Sequence, residues 1–390
     1  MFLQDEMVLE MGPQHPSTHG VLRLTLRLSG ENIISVDPKV GHLHRGLEKI
    51  AESLMYTQFQ PYTDRLDYVS GPANNLAYVQ TVEKLLDIDV TPRAKFMRVI
   101  LAELARIASH LVWLATHALD LGAMSMFLYC FRERELIMDL LEIYCGSRLT
   151  TTCMEIGGVR SDFDQEFVDK LNDFIKIFPD KVQDYETLLT RNRIWLKRTK
   201  GIGMVSAEQA INFGLTGPTL RGSGVKYDVR KALPYAAYDQ IDFEVPVGTV
   251  GDVYDRYLVR MEEMRQSIKI IRQALEKLPA GPVKIQDPRV TRPDKALLTA
   301  NMEALIQYCY LIMEGIIPPK GEVYSSVECS KGELGFYICC DGTSKPYRLK
   351  IRTPSFYNAG VLSFMAKGAM LSDMAAFIAS IDIVLGEIDR

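Results

Sequence analysis

An α+β chain, with a central bundle of long helices flanked by a small antiparallel β unit from its N- and C-terminal regions, is what three features of this sequence predict. Leucines alternate with polar residues near the start, long amphipathic stretches fill the middle, and short alternating segments return near the end. At 390 residues the chain is long enough to bury a substantial core. We expect an N-terminal β unit with a loop over 1–70, a helical core over 71–315 and a C-terminal β meander with a final helix over 316–390, integrated into one domain.

Leu22, Leu24, Leu26 and Leu28 alternate with Arg23, Thr25 and Arg27, the period of a strand with one buried face. Residues 29–32 (SGEN) read as a turn and Ile33 to Val36 as the returning strand. Thr91-Pro92 is an N-cap followed by proline at the first helical position. The helix it opens runs amphipathically through Val99, Leu104, Ile107, Leu111 and Leu114 and stops at Gly122. Further helices are predicted at about 72–86, 127–145, 164–189, 254–278, 295–314 and 360–378, with the glycine-rich loop 214–224 among them. Segments 322–329, 334–340 and 347–352 read as strands, and Asp341-Gly342 is the turn between the last two.

Composition narrows the function classes. A net charge of −4 gives no electrostatic footing for nucleic acid. The longest uncharged apolar stretch, 107–119, is shorter than the roughly 20 residues of a membrane span. Asp5, Glu6 and Glu10 leave the first ten residues without a basic leader, so neither a signal nor a transit segment is expected. The chain is expected to be soluble or held at a membrane by partners. Seven scattered cysteines without a Cys-x-x-Cys pair point to free thiols, and none of the six histidines has the spacing of a structural zinc site. No metal centre is expected from this chain alone.

Four places could carry chemistry. Residues 12–20 (GPQHPSTHG) hold two prolines, two glycines and the histidines His15 and His19 in a loop of specific irregular shape, either a site handling protons near neutral pH or a tight turn whose histidines only hydrogen-bond the backbone. Residues 64–68 (DRLDY) set three charges beside Tyr68, although a solvated helix approach with a capping carboxylate is the commoner meaning of such a run. Asp120 ends an apolar stretch, where a carboxylate is either a surface helix end or the partner of a histidine whose protonated form it favours. Residues 41–46 (GHLHRG) form a further histidine-bearing turn, as consistent with an exposed polar loop as with binding. The charge runs 132–135 and 262–265 read as solvated or interface faces of helices.

GPQHPSTHG, HRGLEKI (44–50), DRLDY, HALDLGAM (117–124), FRERE (131–135), IGGV (156–159), GSGVKYDVRK (222–231), YDRYLVRMEEMRQS (254–267), KGELGFY (331–337) and DIVLGEIDR (382–390) together resemble one family over nearly the whole chain. It is that of the 49-kDa-type, or D, subunit of the proton-pumping NADH:quinone oxidoreductase, respiratory complex I. The resemblance implies the fold of the large subunit of nickel–iron hydrogenases. If Arg65 and Asp382 mark the metal-binding segments of those enzymes, the ligand positions here are Asp67, Ser70, Val384 and Glu387. No thiolate remains, so the soft nickel–iron centre has no ligands.

The resemblance further implies that a quinone headgroup enters the emptied cavity beside Val384, with Tyr68 and His19 as its two hydrogen-bonding partners and Asp120 behind the histidine. Arg65, Arg45 and Thr150 would lie near the terminal [4Fe-4S] cluster, which belongs to the neighbouring B subunit of the complex. Many relatives carry a histidine at the position of Thr150 and an arginine at that of Glu155, so a less pH-dependent cluster potential is expected here. The B, C, H and I subunits are the implied partners, on the cytoplasmic side of a bacterial inner membrane or the matrix side of the mitochondrial one. The competing expectations are a subunit of a ferredoxin-fed quinone reductase or hydrogenase-related membrane complex, and a non-catalytic scaffold. An NADH site is not expected, because no Gly-x-Gly-x-x-Gly follows a strand.

Overall fold

The computed structural model describes residues 6–15 and 20–390. The expectation for His19 therefore lies outside the described residues. Strands Glu6–Met11 (β1), Arg23–Ser29 (β2) and Asn32–Lys39 (β3) form an antiparallel sheet in that order. The alternating leucines of β2 are all buried, as their period requires. A helical segment follows: Leu47–Ala51 (α1), Tyr56–Thr63 (α2), Gly71–Leu86 (α3), Pro92–Asp120 (α4) and Met124–Cys145 (α5). A two-residue hairpin, Met154–Glu155 (β4) with Gly158–Val159 (β5), leads into Gln165–Leu189 (α6).

Short helices Arg193–Thr199 (α7), Ala207–Asn212 (α8), Gly217–Gly222 (α9) and Val229–Ala232 (α10) precede the long Val253–Glu276 (α11) and then Met302–Met313 (α12). A second antiparallel sheet contains Gly321–Cys329 (β6), Gly332–Cys340 (β7) and Arg348–Arg352 (β8). The chain closes with Pro354–Gly360 (α13), Leu362–Met365 (α14), Met374–Ile381 (α15) and Leu385–Asp389 (α16).

Helix α4 is the axis. Its Thr91 cap accepts from the Ala94 amide, Pro92 opens the first turn, and the helix packs against α3, α5, α11 and α15. It is also long and apolar enough to cross a membrane by length and composition, but most of that apolar window is buried against its neighbours. The stretch 107–119 is only the uncharged half of it, because Arg98, Glu103 and Arg106 in the first half are buried too.

Three expectations are corrected. The strands of the two ends do not build one β unit: they form two separate three-stranded sheets, one packed on α14 and the other on α3. The helix expected at 295–314 is broken, because Asn301 caps a new start by accepting from the Ala304 amide. The helix expected at 360–378 is replaced by α13, α14 and α15, with Gly368 at φ 78° between the last two.

Candidate functional site

Residues 64–70 link α2 to α3 and face both ways. Asp64 and Asp67 point inward and are almost fully buried, whereas Arg65 and Tyr68 point outward, with Tyr68 45% exposed. This corrects the solvated-helix reading of the segment. The Asp64 carboxylate accepts from the Thr152 amide at 3.0 Å and its hydroxyl at 2.5 Å, tying the segment to the loop after α5. Gly71 makes room at that junction, since a Cβ there would stand 3.0 Å from Asp64 Oδ1 and 3.2 Å from the Leu149 carbonyl oxygen. Arg45 donates to the Arg65 carbonyl at 2.8 Å. Arg45, Arg65 and Thr150 are all exposed, around one edge of the molecule.

Asp67 belongs to a buried charge cluster. Its Oδ2 lies 3.4 Å from the Lys331 ammonium, and Asp382 lies 3.4 Å from the same nitrogen. Lys331, 1% exposed, also donates to Ser109 Oγ of α4 at 2.7 Å. Glu387, equally buried, accepts from the Ser355 hydroxyl. Burial opposes the ammonium, but Asp382, Asp67 and Glu387 outweigh it and hold Lys331 up at about 12. Burial, followed by the Asp67 charge, pushes Glu387 up to about 8, against the Ser355 hydrogen bond and Lys331. Burial likewise raises Asp67. The Tyr68 phenol is raised by desolvation and then by Asp67.

Backbone contacts hold the cluster against Tyr68. A Cβ on Gly386 would stand 2.9 Å from the Leu66 carbonyl oxygen, 3.1 Å from that of Arg65 and 3.6 Å from the Tyr68 ring. Glycine is what lets α16 approach this closely. On the preceding residue, Leu385 Cδ1 is 3.2 Å from the Cβ position of Gly20, whose φ is 133°. His15 and Gly20 pair as an antiparallel bridge, so the two described ends of the histidine loop lie together. Val384 caps the start of α16, is buried, and donates its amide to Ser355 Oγ at 3.4 Å.

Asp120 ends α4, about 16 Å along the axis from Ser109 at 1.5 Å per residue. His117, one turn back, is a core residue against the Trp113 and Trp195 rings. The turn at 41–46 is anchored to the C-terminus: Asp389 accepts from the Gly41 and Leu43 amides at 2.8 and 2.7 Å, and His44 Nδ1 meets the Asp389 carbonyl at 2.6 Å. A cleft of about 390 Å³ opens there, lined by His44, Lys49, Arg348, Lys350 and Arg390.

A family model described as the 49 Kd subunit of the respiratory-chain NADH dehydrogenase matches residues 120–390. The D subunit of NADH-quinone oxidoreductase from Geotalea uraniireducens is 54% identical over 384 residues, covering 98% of each chain. The D 2 subunit from Chloroflexus aurantiacus is 51% identical over 389 residues, covering 99% of this chain and 95% of the relative. The D subunit from Campylobacter jejuni is 50% identical over 387 residues, with the same coverage.

The chain belongs to the family of the 49-kDa, or D, subunit of NADH-quinone oxidoreductase.

As a member of this family the chain is a subunit of an enzyme complex and assembles with other complex I subunits. Of the residues expected to form its site, the structure brings Tyr68, Val384 and the Asp67–Glu387 pair together, and groups Arg45, Arg65 and Thr150 at the edge beside them. Asp120 stands at the far end of α4 and His19 lies outside the described residues. Glu155 is paired with Lys284 at 2.6 Å, so its charge is locally offset. Lys331 was not expected. Its only signal was position, in the turn between two strands of the KGELGFY motif, and a lysine there ordinarily faces solvent. The runs 132–135 and 262–265 are also corrected, because Glu133 and Glu263 are buried. Helical period turns those two inward: Glu133 accepts from the Tyr185 hydroxyl at 2.8 Å, and Glu263 meets His110 Nε2 at 2.8 Å. Among the described residues no group of three or more His, Cys, Asp or Glu is arranged to hold a metal ion.

Proposed function

We infer that this chain is the quinone-site subunit in the peripheral arm of NADH:quinone oxidoreductase. It receives electrons from the terminal [4Fe-4S] cluster of the neighbouring B subunit and reduces quinone, coupled to proton translocation. The observation that carries this reading is the half-exposed Tyr68, next in the chain to buried Asp67 of the Asp67–Lys331–Asp382–Glu387 cluster and with its ring packed against Gly386. Of these, Asp67 and Glu387 are at positions where the resemblance to nickel–iron hydrogenases would put metal ligands, and the two sheets around a long-helix bundle suit the same ancestry. In this chain a lysine ammonium takes up the carboxylate charge instead.

Reducing a quinone to a quinol takes two electrons, which the partner's cluster supplies, and two protons, one at each oxygen. Tyr68 serves one oxygen: its raised pKa keeps the phenol protonated until charge builds there. His19, one peptide bond from Gly20, serves the other, and Asp120 steadies its imidazolium before transfer. Val384 lines the cleft beside the headgroup. The exposed guanidinium groups of Arg45 and Arg65 face the partner and favour negative charge on its cluster. Thr150 adds no titratable group beside them, which supports a weakly pH-dependent cluster potential. The B, C, H and I subunits then surround the chain at the cytoplasmic face of a bacterial inner membrane, with the chain acting as one integrated domain.

Tyr68→Phe and His19→Ala in the assembled complex test this. Each is expected to lower quinone reduction by roughly 10²-fold or more, while the electron paramagnetic resonance signal of the partner's cluster persists. Wild-type turnover in both variants, with the cluster retained, would make the chain a scaffold.

A further inference from the structure

The buried cluster behind Tyr68 has more in it than a fold needs. Replacing a buried ion pair with apolar side chains is often neutral or stabilising, so three carboxylates around one ammonium are poorly explained by stability. Lys331 is brought in from the turn between β6 and β7, Asp67 from the segment before α3, Asp382 from the residue after α15 and Glu387 from α16. Arg260 of α11 acts on Asp382, and Cys329 of β6 lies in the field of Glu387. Ser70 Oγ is buried with no hydrogen-bond partner among the described residues, whereas Asp382 Oδ2 faces the Lys331 ammonium at 3.4 Å. One hydroxyl three residues from Asp67 therefore has hydrogen-bonding capacity left open, which a proton relay can use and a static scaffold does not need.

We propose that Glu387, held with Asp67 and Asp382 around the Lys331 ammonium, is the proton reserve that reloads Tyr68 after the phenol has protonated the reduced substrate. This rests on the quinone-site reading above. Asp67 is the junction by position: it precedes Tyr68 in the chain and lies 3.4 Å from the Lys331 ammonium, while Gly386, the neighbour of Glu387, would carry a Cβ 3.6 Å from the Tyr68 ring. In the relay Tyr68 loses its proton to the substrate oxygen and becomes a phenolate. The O–H bond of neutral Glu387 breaks, its proton passes by way of Asp67, and an O–H bond re-forms on Tyr68. Glu387 is left as a carboxylate beside Lys331, which offsets the new charge, and a solvent proton later restores the acid. No electron moves in these steps. With its acid held near 8, Glu387 is loaded at neutral pH and emptied in mild alkali.

The test uses the assembled complex and a short-chain quinone, with turnover measured across pH. Wild-type turnover is expected to fall through a one-proton limb near pH 8. In Glu387→Gln, which keeps the shape and removes the acid, we expect that limb to vanish and turnover at pH 7 to drop by about tenfold or more. Glu387→Asp should recover part of the rate with the limb displaced. Ser355→Ala removes a hydrogen bond that favours the ionised form, so it should move the limb to higher pH, and it serves if Glu387→Gln does not assemble. A Glu387→Gln complex with the wild-type rate and profile overturns the reserve, as does a uniform loss at every pH with the limb intact, or a Ser355→Ala limb that does not move. Tyr68→Phe separates the two readings. If it abolishes turnover while Glu387→Gln is silent, only the reserve fails; if it is itself silent, the quinone site fails.

Discussion

Glu103 shows how single residues hold this core together. It lies on α4 with no exposure and accepts from Arg230 at 3.0 Å, Tyr238 at 2.6 Å and Ser267 at 2.6 Å. Burial alone would neutralise it, but Arg106 and Arg230 outweigh that and hold its acid down at about 2. Removing one partner from such a network leaves the others charged and unpaired. Glu103→Gln is therefore expected to cost about 3–5 kcal/mol in denaturant unfolding of the full chain, and a cost below about 1 kcal/mol would mean the arginines find other partners. The same rule sorts the acidic residues here. Those facing arginine, such as Glu103 between Arg106 and Arg230 and Glu263 beside Arg221 and His110, are held ionised, whereas Glu387 faces other carboxylates and keeps its proton into the neutral range.

At the scale of elements, position is set by backbone contacts that only glycine permits. Lys331 is carried into the interior because the β6–β7 turn lies against the start of α9. A Cβ on Gly217 would stand 2.4 Å from the Gly332 Cα, and Gly217 has φ 66°. Gly217→Ala must push the two backbones apart and strain its own, so we expect a lower thermal midpoint together with lost quinone turnover as Lys331 shifts. Gly360→Ala provides the contrast, since it lies in α13 with nothing within 4 Å of its Cβ position, and it should be neutral or slightly stabilising. Equal effects from both substitutions would refute the argument from close approach. The glycine-rich stretch 214–224 reads as a loop in the sequence, but residues 217–222 of it form α9; that it presses on the turn bearing Lys331 was not legible either, because the contact joins residues more than a hundred positions apart.

For the molecule as a whole, pH acts on stability in two directions. Glu103 and Glu263 have folded pKa values below their ordinary one, so their contribution is present above about 4.5 and is lost as pH falls through the folded value, near 2 for Glu103. Glu387 is shifted the other way: its contribution is complete below about 4.5 and is lost as pH rises through about 8. Thermal midpoints of the full chain should therefore fall on both sides, and Glu387→Gln should flatten the alkaline side by several degrees without altering the acid side. An unchanged alkaline slope in that variant would assign the loss to other groups.

The long helices α3 to α6 and α11, the strand period of the alternating leucines and the family could all be read from the residues, because each is written in local spacing or in ordered motifs. Through the family resemblance the sequence also singled out Tyr68, Asp67 and Glu387. Tertiary structure alone decided that the two ends build separate sheets, that Glu133 and Glu263 turn inward, and that Lys331 sits among three carboxylates. Charged residues read in one dimension look solvated, since hydrophobic periodicity says which face of an element is buried but not what lies across from it. Whether a charge is buried with a partner depends on which distant segments the fold brings together.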